Sequence, residues 1–255
     1  MGSYIGYFSL FEVGTLTATT TDTGFSVNNL KDKRDYTYWQ SSNTSDQTLE
    51  LDLSATAYSA SPVRYLAFAG HNLYTASATV HLDGYNGSSW IDDILSFDPG
   101  SDNPVMKTFA AITYSKYRVR LTGLAAKARI GVIGLGAVVQ FDYPPDAPFS
   151  HKDYTGIVKG ETSVKGNILG LSWDYTEHKI TAKYSWLTKT FFTNYWDTFY
   201  RTHAQYGLPF FYAWDYTNDP DTCYYVRMEE PRTSMPQVTS TLIEGLEFTM
   251  IGKYM

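Results

Sequence analysis

The sequence predicts a mainly β protein: an N-terminal jelly-roll β-sandwich followed by a β-sandwich domain with one flanking amphipathic helix. Three observations favour this fold class. Short apolar runs with the two-residue period of half-buried strands recur from residue 14 to residue 141. Turn-forming residues separate these runs. One later segment, near residues 188–206, changes to the helical period. A chain of 255 residues is long enough for two such domains.

The strands of the first domain are predicted from alternation. In the segment TLELDLSA, Thr48–Ala55, leucines alternate with Glu50 and Asp52, the pattern of a strand with one buried face. Between the apolar runs lie the segments NNLKDKRD, DGYNGSS and DPGSDNP, which are rich in turn residues. Many short strands spaced in this way are typical of a sandwich or jelly roll. The further predicted strands are VRYLAFAG, ATVHLDG, KTFAAITYS, YRVRLTGL and ARIGVIGLGAVVQF.

A proline-rich segment predicts the domain boundary. DYPPDAPFSHKDY, Asp142–Tyr154, contains three prolines among polar residues, and prolines break strand pairing and favour extended linkers. We therefore assign residues 1–142 to the jelly roll and residues 143–255 to the second domain.

The second domain is predicted to be β-rich with one helix. NILGLSWDY and HKITAKYSW are strand-like, and so are PFFYAWDY, TCYYVRME and GLEFTMIGKY further along. Between these two groups, Thr188 or Thr190 is a suitable N-cap, and Gly207 followed by Pro209 is a typical helix end. The apolar side chains at helical spacing, which predict the buried face of the helix, are Leu187, Phe191, Phe192, Tyr195, Trp196 and Phe199.

Charge and composition exclude several classes of function. The net charge is −6, and the chain has no run of Lys or Arg, so we predict that it binds neither nucleic acid nor an anionic membrane. The N-terminus lacks the pattern of a signal peptide, and no apolar stretch is long enough to span a bilayer. Cys223 is the single cysteine, which excludes an internal disulfide, and its apolar surroundings predict a buried thiol.

No residue pattern predicts catalysis, a metal or a cofactor. RIGVIGLGAVVQFD resembles the start of a dinucleotide-binding motif, but Val139 stands where a third small residue is needed and no helix can follow. Gly134 and Gly136 are therefore predicted to mark a bulge or close strand packing. His71 and His81 could bind a metal together only if both lay on one face of adjoining strands. We predict instead that His71 lies in a turn and His81 in a strand. We expect a protein that is not an enzyme.

Acidic pairs are interpreted as structural. Asp92 with Asp93, and Asp98 with Asp102, fall in loop-like stretches. Two carboxylates are needed for glycoside hydrolysis, but acids are common in loops. We predict that these four are solvated turn residues.

One loop is a candidate ligand site. The segment DGYNGSSW places Asp83, Tyr85, Asn86 and Trp90 together, and a flat aromatic ring beside polar hydrogen-bonding groups suits a sugar. The alternative is an ordinary hairpin tip in which Trp90 begins the next strand and packs inward.

The first domain resembles the discoidin-like, galactose-binding-like jelly roll over residues 15–141. The segments that carry the resemblance are FSVNNLKDKRDYTYWQSS, LELDLS, VRYLAFAGHNL and ATVHLDG. Versions with the GHNL turn are similar to tail proteins of tailed bacteriophages and prophages. The second domain is similar to ring-forming distal-tail and tail-tube proteins, in which GLPFFYAWD follows the flanking helix.

The resemblance implies a structural component of a phage tail tip or baseplate. Its partners would be further copies of itself in a ring and other tail proteins, and it would be made in the bacterial host cytoplasm and reside in the virion. The abundant Tyr and Trp residues agree with this expectation, since both anchor interfaces. The alternative is a carbohydrate-binding module that attaches to host surface glycans.

Overall fold

The fold was analysed in a computed structural model that describes residues 2–185, 187–233, 242–243 and 245–253. Strands comprise 45% of the structure and helical residues 10%, and the strand pairs with a defined register among the described residues are antiparallel. The mainly β fold class is therefore confirmed.

The chain divides into two compact units. The first consists of Met1–Asp142 with Phe210–Tyr224, and the second of Tyr143–Pro209 with Tyr225–Met255. Residues 210–224, which we assigned to the second domain from the sequence, thus belong to the first unit. The physical reason is strand pairing, because residues 4–6 pair with residues 211–213 in an antiparallel ladder.

The first unit is a β-sandwich. Two short 3₁₀ turns, Leu10–Glu12 and Val27–Lys31, lie between its early strands. Its strands are β1 (Tyr4–Gly6), β2 (Thr15–Ala18), β3 (Trp39–Gln40), β4 (Gln47–Asp52), β5 (Val63–Ala69), β6 (Thr79–Tyr85), β7 (Trp90–Phe97), β8 (Val105–Ile112), β9 (Lys116–Thr122), β10 (Arg129–Ile130), β11 (Val132–Gly136), β12 (Val138–Gln140) and, much later in the chain, β16 (Phe210–Ala213).

Two sheets of this unit enclose its core. One has the strand order β2-β4-β9-β6-β7 and the other the order β11-β5-β8, while β3 pairs with β10 and β1 lies between β12 and β16. Every second residue of β4 and β9 is buried, because successive side chains of a strand point to opposite faces. The inward side chains of the two sheets form one apolar cluster, which includes Leu49, Leu51, Val80, Leu82, Val119 and Leu121 from the first sheet and Leu66, Phe68, Ile133 and Leu135 from the second.

The glycines of RIGVIGLG allow close packing, as predicted. A Cβ atom on Gly134 would lie 2.8 Å from the Tyr65 ring, and one on Gly136 would lie against the carbonyl oxygen of Phe8. Both glycines are on β11, in a sheet and not at the entrance to a helix. The segment therefore has no dinucleotide-binding geometry.

The second unit contains a four-stranded sheet with the order β17-β19-β14-β13, and a separate pair of strands, β15 and β18. Most of the predicted strand-like runs NILGLSWDY and HKITAKYSW lies in one continuous strand of 17 residues, Ile168–Tyr184. The strands are β13 (Asp153–Thr162), β14 (Ile168–Tyr184), β15 (Leu187–Thr188), β17 (Tyr224–Met228), β18 (Leu242–Ile243) and β19 (Leu246–Lys253).

The predicted helix near 188–206 is present. It comprises an α-helical turn (Lys189–Phe191), a π-helical turn (Phe192–Trp196), an α-helix (Asp197–Thr202) and a 3₁₀ turn (Ala204–Tyr206). Thr188 is the N-cap and accepts a hydrogen bond from the amide of Phe191, while Gly207 ends the segment with a φ of 67°. Both ends agree with the prediction.

The buried face of this helix is narrower than predicted. Phe192, Trp196 and Phe199 are buried, but Tyr195 is exposed. The π-helical turn adds a residue to the local repeat, which rotates neighbouring side chains relative to a regular α-helix. The indole of Trp196 lies 4.8 Å from the Phe248 ring of β19, so the helix covers the sheet of the second unit there.

Within the described residues, no helix has the length and apolar character needed to cross a membrane.

Candidate functional site

Two ends of the first unit carry candidate site residues. β9 pairs antiparallel with β6 so that Thr122 faces Thr79, and Phe97 at the end of β7 faces Val80. The connections 70–78, 98–104 and 123–128 therefore lie at the same end of the sandwich. We call residues 32–38, 70–78, 98–104 and 123–131 the loop end, and the β6–β7 hairpin from Asp83 to Trp90, at the opposite end of the same strands, the hairpin end.

At the hairpin end, the carboxylate of Asp83 is completely buried and fully used. It accepts hydrogen bonds from Nε of Arg118 at 2.7 Å, from Nε of Arg120 at 2.6 Å and from the amide of Asp93 at 2.8 Å. Burial alone would raise the pKa of Asp83, but the two guanidinium groups outweigh it and hold this pKa below its usual value. Asp83 is thus a structural anion, and its oxygens already have donors.

The other three predicted ligand residues are brought together around the turn. Tyr85 and Trp90 are directly paired across the hairpin, with ring centroids 5.4 Å apart. The guanidinium of Arg118 lies 4.4 Å from the centroid of the Trp90 ring. Asn86 uses its side-chain oxygen to accept the amides of Ser88 and Ser89 at 2.9 Å. Trp90 begins β7 and is half-buried.

Asp92 and Asp93 are solvent-exposed, as predicted, but the prediction that they are turn residues is wrong. Both lie in β7, and their carboxylates bind Arg118 at 2.8 Å and Arg120 at 3.0 Å. The strand pairing is irregular between Leu82 and Gly84, and Asp93 has a φ of 56°. This bulge places the extra residues of β7 beside the arginines of β9.

The two histidines discussed as a metal pair are at different places. His81 lies on β6, where its ring nitrogens contact Asp93 at 2.7 Å and Thr122 at 3.0 Å. His71 lies in the turn after β5, next to Gly70, which has a φ of 59°. The predicted turn and strand placements are therefore confirmed. No group of three potential metal ligands occurs in the part of the chain that the structure describes.

The loop end is held together by close backbone packing. A Cβ atom on Gly131 would lie 2.8 Å from the carbonyl oxygen of Asp35, and one on Gly70 would lie against the same atom. The amide of Gly131 donates to the carbonyl of Gly70 at 3.0 Å. Three separate chain segments therefore meet at these two glycines, and only a residue without a side chain fits.

Side chains fix the neighbouring loops. Asn72 accepts the amide of Arg129 at 2.7 Å and donates to the carbonyl of Lys127 at 3.0 Å. Asp102, predicted as a solvated acid, instead accepts the amides of Tyr74 and Thr75 at 2.9 and 3.1 Å and the Thr75 hydroxyl at 2.5 Å. The 98–104 loop is thereby clamped to the 70–78 loop.

Two buried polar atoms at the loop end have no hydrogen-bond partner among the described residues. They are Nε2 of His71 and Nε of Arg129. Buried polar groups are satisfied in the great majority of cases, so an unsatisfied one calls for an explanation. Both side chains belong to the same cluster, because Asn72 binds the backbone of Arg129 on both its amide and carbonyl.

The imidazole of His71 is neutral at pH 7. Its pKa is lowered to about 4, mainly by burial; Asp102 and the backbone of Asn103 oppose this shift, and the positive charge of Arg129 adds to it. Nδ1 accepts the amide of Leu73 at 3.3 Å, which leaves the proton of the neutral ring on Nε2. Nε2 is thus a hydrogen-bond donor. The backbone of Asn103 lies near it and favours the charged ring, but it does not complete a hydrogen bond of normal geometry.

Aromatic rings flank this cluster. Tyr36 follows Asp35 and is 71% exposed, and Tyr74 lies three residues after His71 and is 57% exposed. The guanidinium of Arg129 lies 5.1 Å from the centroid of the Tyr38 ring, whose other contact is a stacked Phe25 at 4.8 Å. The loop end therefore combines exposed aromatic surface with fixed polar groups.

Sequence reasoning missed most of this cluster. His71 and Arg129 are 58 positions apart, and no local spacing connects them. The GHNL segment was the available signal, since a Gly and an Asn beside a His predict a tight turn with a polar side chain inside it. We interpreted it as a turn without a ligand.

Cys223, in the first unit, is buried, as predicted. Burial raises the pKa of its thiol, so the reactive thiolate is disfavoured.

No protein-family model matches the chain, and no curated protein does. Among solved structures, the chain is similar to a chitosan-binding module of a chitosanase/glucanase from Paenibacillus sp. IK-5, with 20% identity over 51% of this chain and 100% of that chain and a TM-score of 0.43. It is also similar to a family 32 carbohydrate-binding module from Clostridium perfringens NanJ in complex with galactose, with 16% identity, coverage of 51% and 98%, and a TM-score of 0.43.

A third similar structure is a Clostridium perfringens module, CpGH89CBM32-5, in complex with GalNAc-β-1,3-galactose, with 12% identity, coverage of 48% and 94%, and a TM-score of 0.41. These three structures are carbohydrate-binding modules. At such identities and TM-scores the likeness does not assign a function to the chain, and none of these structures is a phage tail or baseplate protein.

Proposed function

We propose that the first unit is a glycan-binding module and that the loop end is its binding site. The observation that carries this proposal is the pair of buried, unpartnered polar atoms, Nε2 of His71 and Nε of Arg129. A sugar presents several hydroxyl groups at fixed angles, and binding sites for such ligands place a few convergent polar groups beside aromatic surface.

The chemistry of the two side chains matches a neutral sugar. The imidazole of His71 carries no charge at pH 7, because burial keeps its pKa near 4. Its Nε2–H and the N–H groups of Arg129 are donors, and a hydroxyl oxygen accepts from either. The exposed rings of Tyr36 and Tyr74 supply flat apolar surface against which the C–H groups of a sugar ring can pack.

The backbone of the loop end is fixed before a ligand arrives, so only side chains must move to uncover Nε2 of His71 and Nε of Arg129. Asp102 fixes Tyr74 and Thr75, and the backbone of Asp35 is in contact with Gly70 and Gly131. Because little loop ordering is then needed on binding, the entropy cost of association is reduced.

Calorimetric titration of the full chain tests the proposal, with soluble oligosaccharides selected on a glycan array. We expect measurable binding by the unmodified protein and about tenfold weaker binding by Tyr74→Ala, equivalent to about 1.4 kcal/mol. Arg129→Lys keeps the charge but loses the planar fork, so we expect it to weaken binding as well. Tyr206→Ala, which removes a similarly exposed tyrosine from the second unit, is the matched control. If the unmodified protein binds no glycan, the proposal fails.

A structural role in a phage tail tip or baseplate, with assembly into a ring, is the second candidate function. The observation that favours it is exposed apolar surface on strand β14 of the second unit, where the side chains of Trp173 and Leu171 are 64% and 69% exposed. Exposed patches of this kind mark interaction surfaces. Closed rings in electron micrographs and the presence of the protein in purified virions would support this role. A protein absent from virions would exclude it.

A further inference from the structure

The hairpin of β13 and β14 extends beyond the sheet to which it belongs. Among the described residues, β19 pairs with β14 from Glu177 to Tyr184, whereas β13 pairs with β14 as far as Ile168. Residues 153–176 therefore form a two-stranded ribbon over most of their length. A two-stranded hairpin is at best marginally stable alone in water, and three or more strands with an apolar face are needed for independent stability.

A bulge gives the ribbon one apolar face. The register shifts between Ile157 and Val158, so that Val158 faces Trp173 and Asp174 is the extra residue on β14. A Cβ atom on Gly156 would lie 3.9 Å from Nε1 of Trp173, which places the indole over that glycine. Without the bulge, the period of two would turn Trp173 to the opposite face.

This apolar face continues the buried face of the sheet. His178, which is directly opposite Tyr154, shares a face of β14 with the buried residues Ile180, Ala182 and Tyr184. Along the ribbon the same face is exposed: Val158 is 54%, Ile168 68%, Leu171 69% and Trp173 64% accessible. The opposite face carries an ion pair between Lys159 and Asp174 at 2.5 Å, next to Ile157, which is paired with Tyr175.

The free edge of the ribbon is β13. Among the described residues, β13 pairs with β14 alone. An edge strand beside exposed apolar side chains is a template for pairing with a further strand. The charged residues of β13 indicate which strand pairs with this edge.

We propose that β13 pairs antiparallel with β13 of a second copy of this chain, about a two-fold axis at Gly156. In this register Asp153 of each copy faces Lys159 of the other, and Tyr154 faces Val158. Two-fold symmetry doubles both contacts, which makes the interface isologous. The paired segments of the two ribbons then form a four-stranded sheet, which exceeds the three strands needed for independent stability.

Neighbouring registers lose this complementarity. A two-fold axis at Ile157 would place Asp153 opposite Glu161, and like charges directly opposite each other are destabilising. An axis at Gly160 would place Lys159 opposite Glu161, but it would pair only the distal part of β13. With the axis at Gly156, pairing begins at Asp153, the first residue of β13. Residues of opposite charge then face each other at both ends of the paired segment.

A charge-swap cycle tests the proposal by sedimentation of the full chain over a range of concentrations. We expect the unmodified protein to be a dimer, and Lys159→Asp or Asp153→Lys each to weaken dimerisation about tenfold or more, since each creates two like-charge oppositions. The double variant, Asp153→Lys with Lys159→Asp, restores unlike pairs across the interface. It is expected to dimerise at least about fivefold more tightly than Lys159→Asp, with which it shares the loss of the ion pair between Lys159 and Asp174.

The matched control is Glu161→Lys, which makes the same change of charge on the same strand and face. We expect it to leave dimerisation nearly unchanged. A loss with Glu161→Lys and none with Asp153→Lys would favour the axis at Gly160 and overturn the proposal. A monomeric unmodified protein, or a double variant as weak as the single ones, would also overturn it. Circular dichroism of each variant separates a pairing defect from a folding defect.

Discussion

The hairpin end and the loop end of the first unit use their polar groups differently. At the hairpin end, the carboxylate of Asp83 has donors from two arginines and a backbone amide, and the amide oxygen of Asn86 closes the turn. At the loop end, His71 and Arg129 keep buried polar atoms without a partner among the described residues. A buried polar group whose hydrogen bonds are all made stabilises the fold. A buried polar group that lacks a hydrogen bond can gain one from a ligand. Residue types alone do not distinguish these two situations.

The largest effect expected from this comparison is a loss of folding stability at acid pH that is caused by His71. Because its pKa is about 4 in the folded chain and about 6.5 in an unfolded one, only the unfolded chain gains the proton between these values. The buried neutral imidazole therefore causes no loss of stability above pH 6.5, and the loss grows as the pH falls towards 4. We expect about 2 to 3 kcal/mol less stability from this group at pH 4.5 than at pH 7.

Urea denaturation of the unmodified protein and of His71→Gln at both pH values measures this contribution. The variant has no imidazole to protonate, so its own loss on acidification is expected to be smaller by that amount. Equal losses in the two proteins would contradict the burial of a neutral imidazole at the loop end.

A smaller effect is expected at the hairpin end. Asp83→Asn removes the charge that two arginines share and leaves them facing each other, which we expect to cost about 2 kcal/mol of unfolding free energy. The value is at the low end for a buried ion pair, because both arginine side chains are about a quarter exposed. Urea denaturation at pH 7 measures it.

Asp92→Asn is the matched control, since it alters an exposed carboxylate bound to the same Arg118. It is expected to change stability by about 0.5 kcal/mol or less. If Asp92→Asn were as costly as Asp83→Asn, burial would not be what distinguishes the two acids.

Local sequence patterns predicted the elements that local forces determine. The alternation in β4 follows from the period of a strand, and Thr188 and Gly207 end the helix because their side chains or conformations satisfy its free backbone groups. The bulges at Asp93 and Asp174 were not predictable in this way, because one extra residue reverses the faces of a strand only once its partner is known.

The candidate site was less predictable than the fold. DGYNGSSW contains suitable side chains within eight residues, but the arginines that occupy Asp83 come from β9, a strand about 35 positions later. Arg129 comes close to His71 because β11 pairs with β5 and the Arg129 backbone binds Asn72. Long-range pairing thus determines which polar groups are satisfied, and the sequence pattern does not contain that information.

The central claim is that glycan binding takes place at the loop end and not at the hairpin end. The most direct measurement is a side-by-side calorimetric comparison of Tyr74→Ala and Trp90→Ala with one glycan that the unmodified protein binds. We expect about tenfold weaker binding for Tyr74→Ala and a change of less than about twofold for Trp90→Ala. Loss of binding with Trp90→Ala and retention with Tyr74→Ala would contradict the claim and assign the glycan to Tyr85, Asn86 and Trp90.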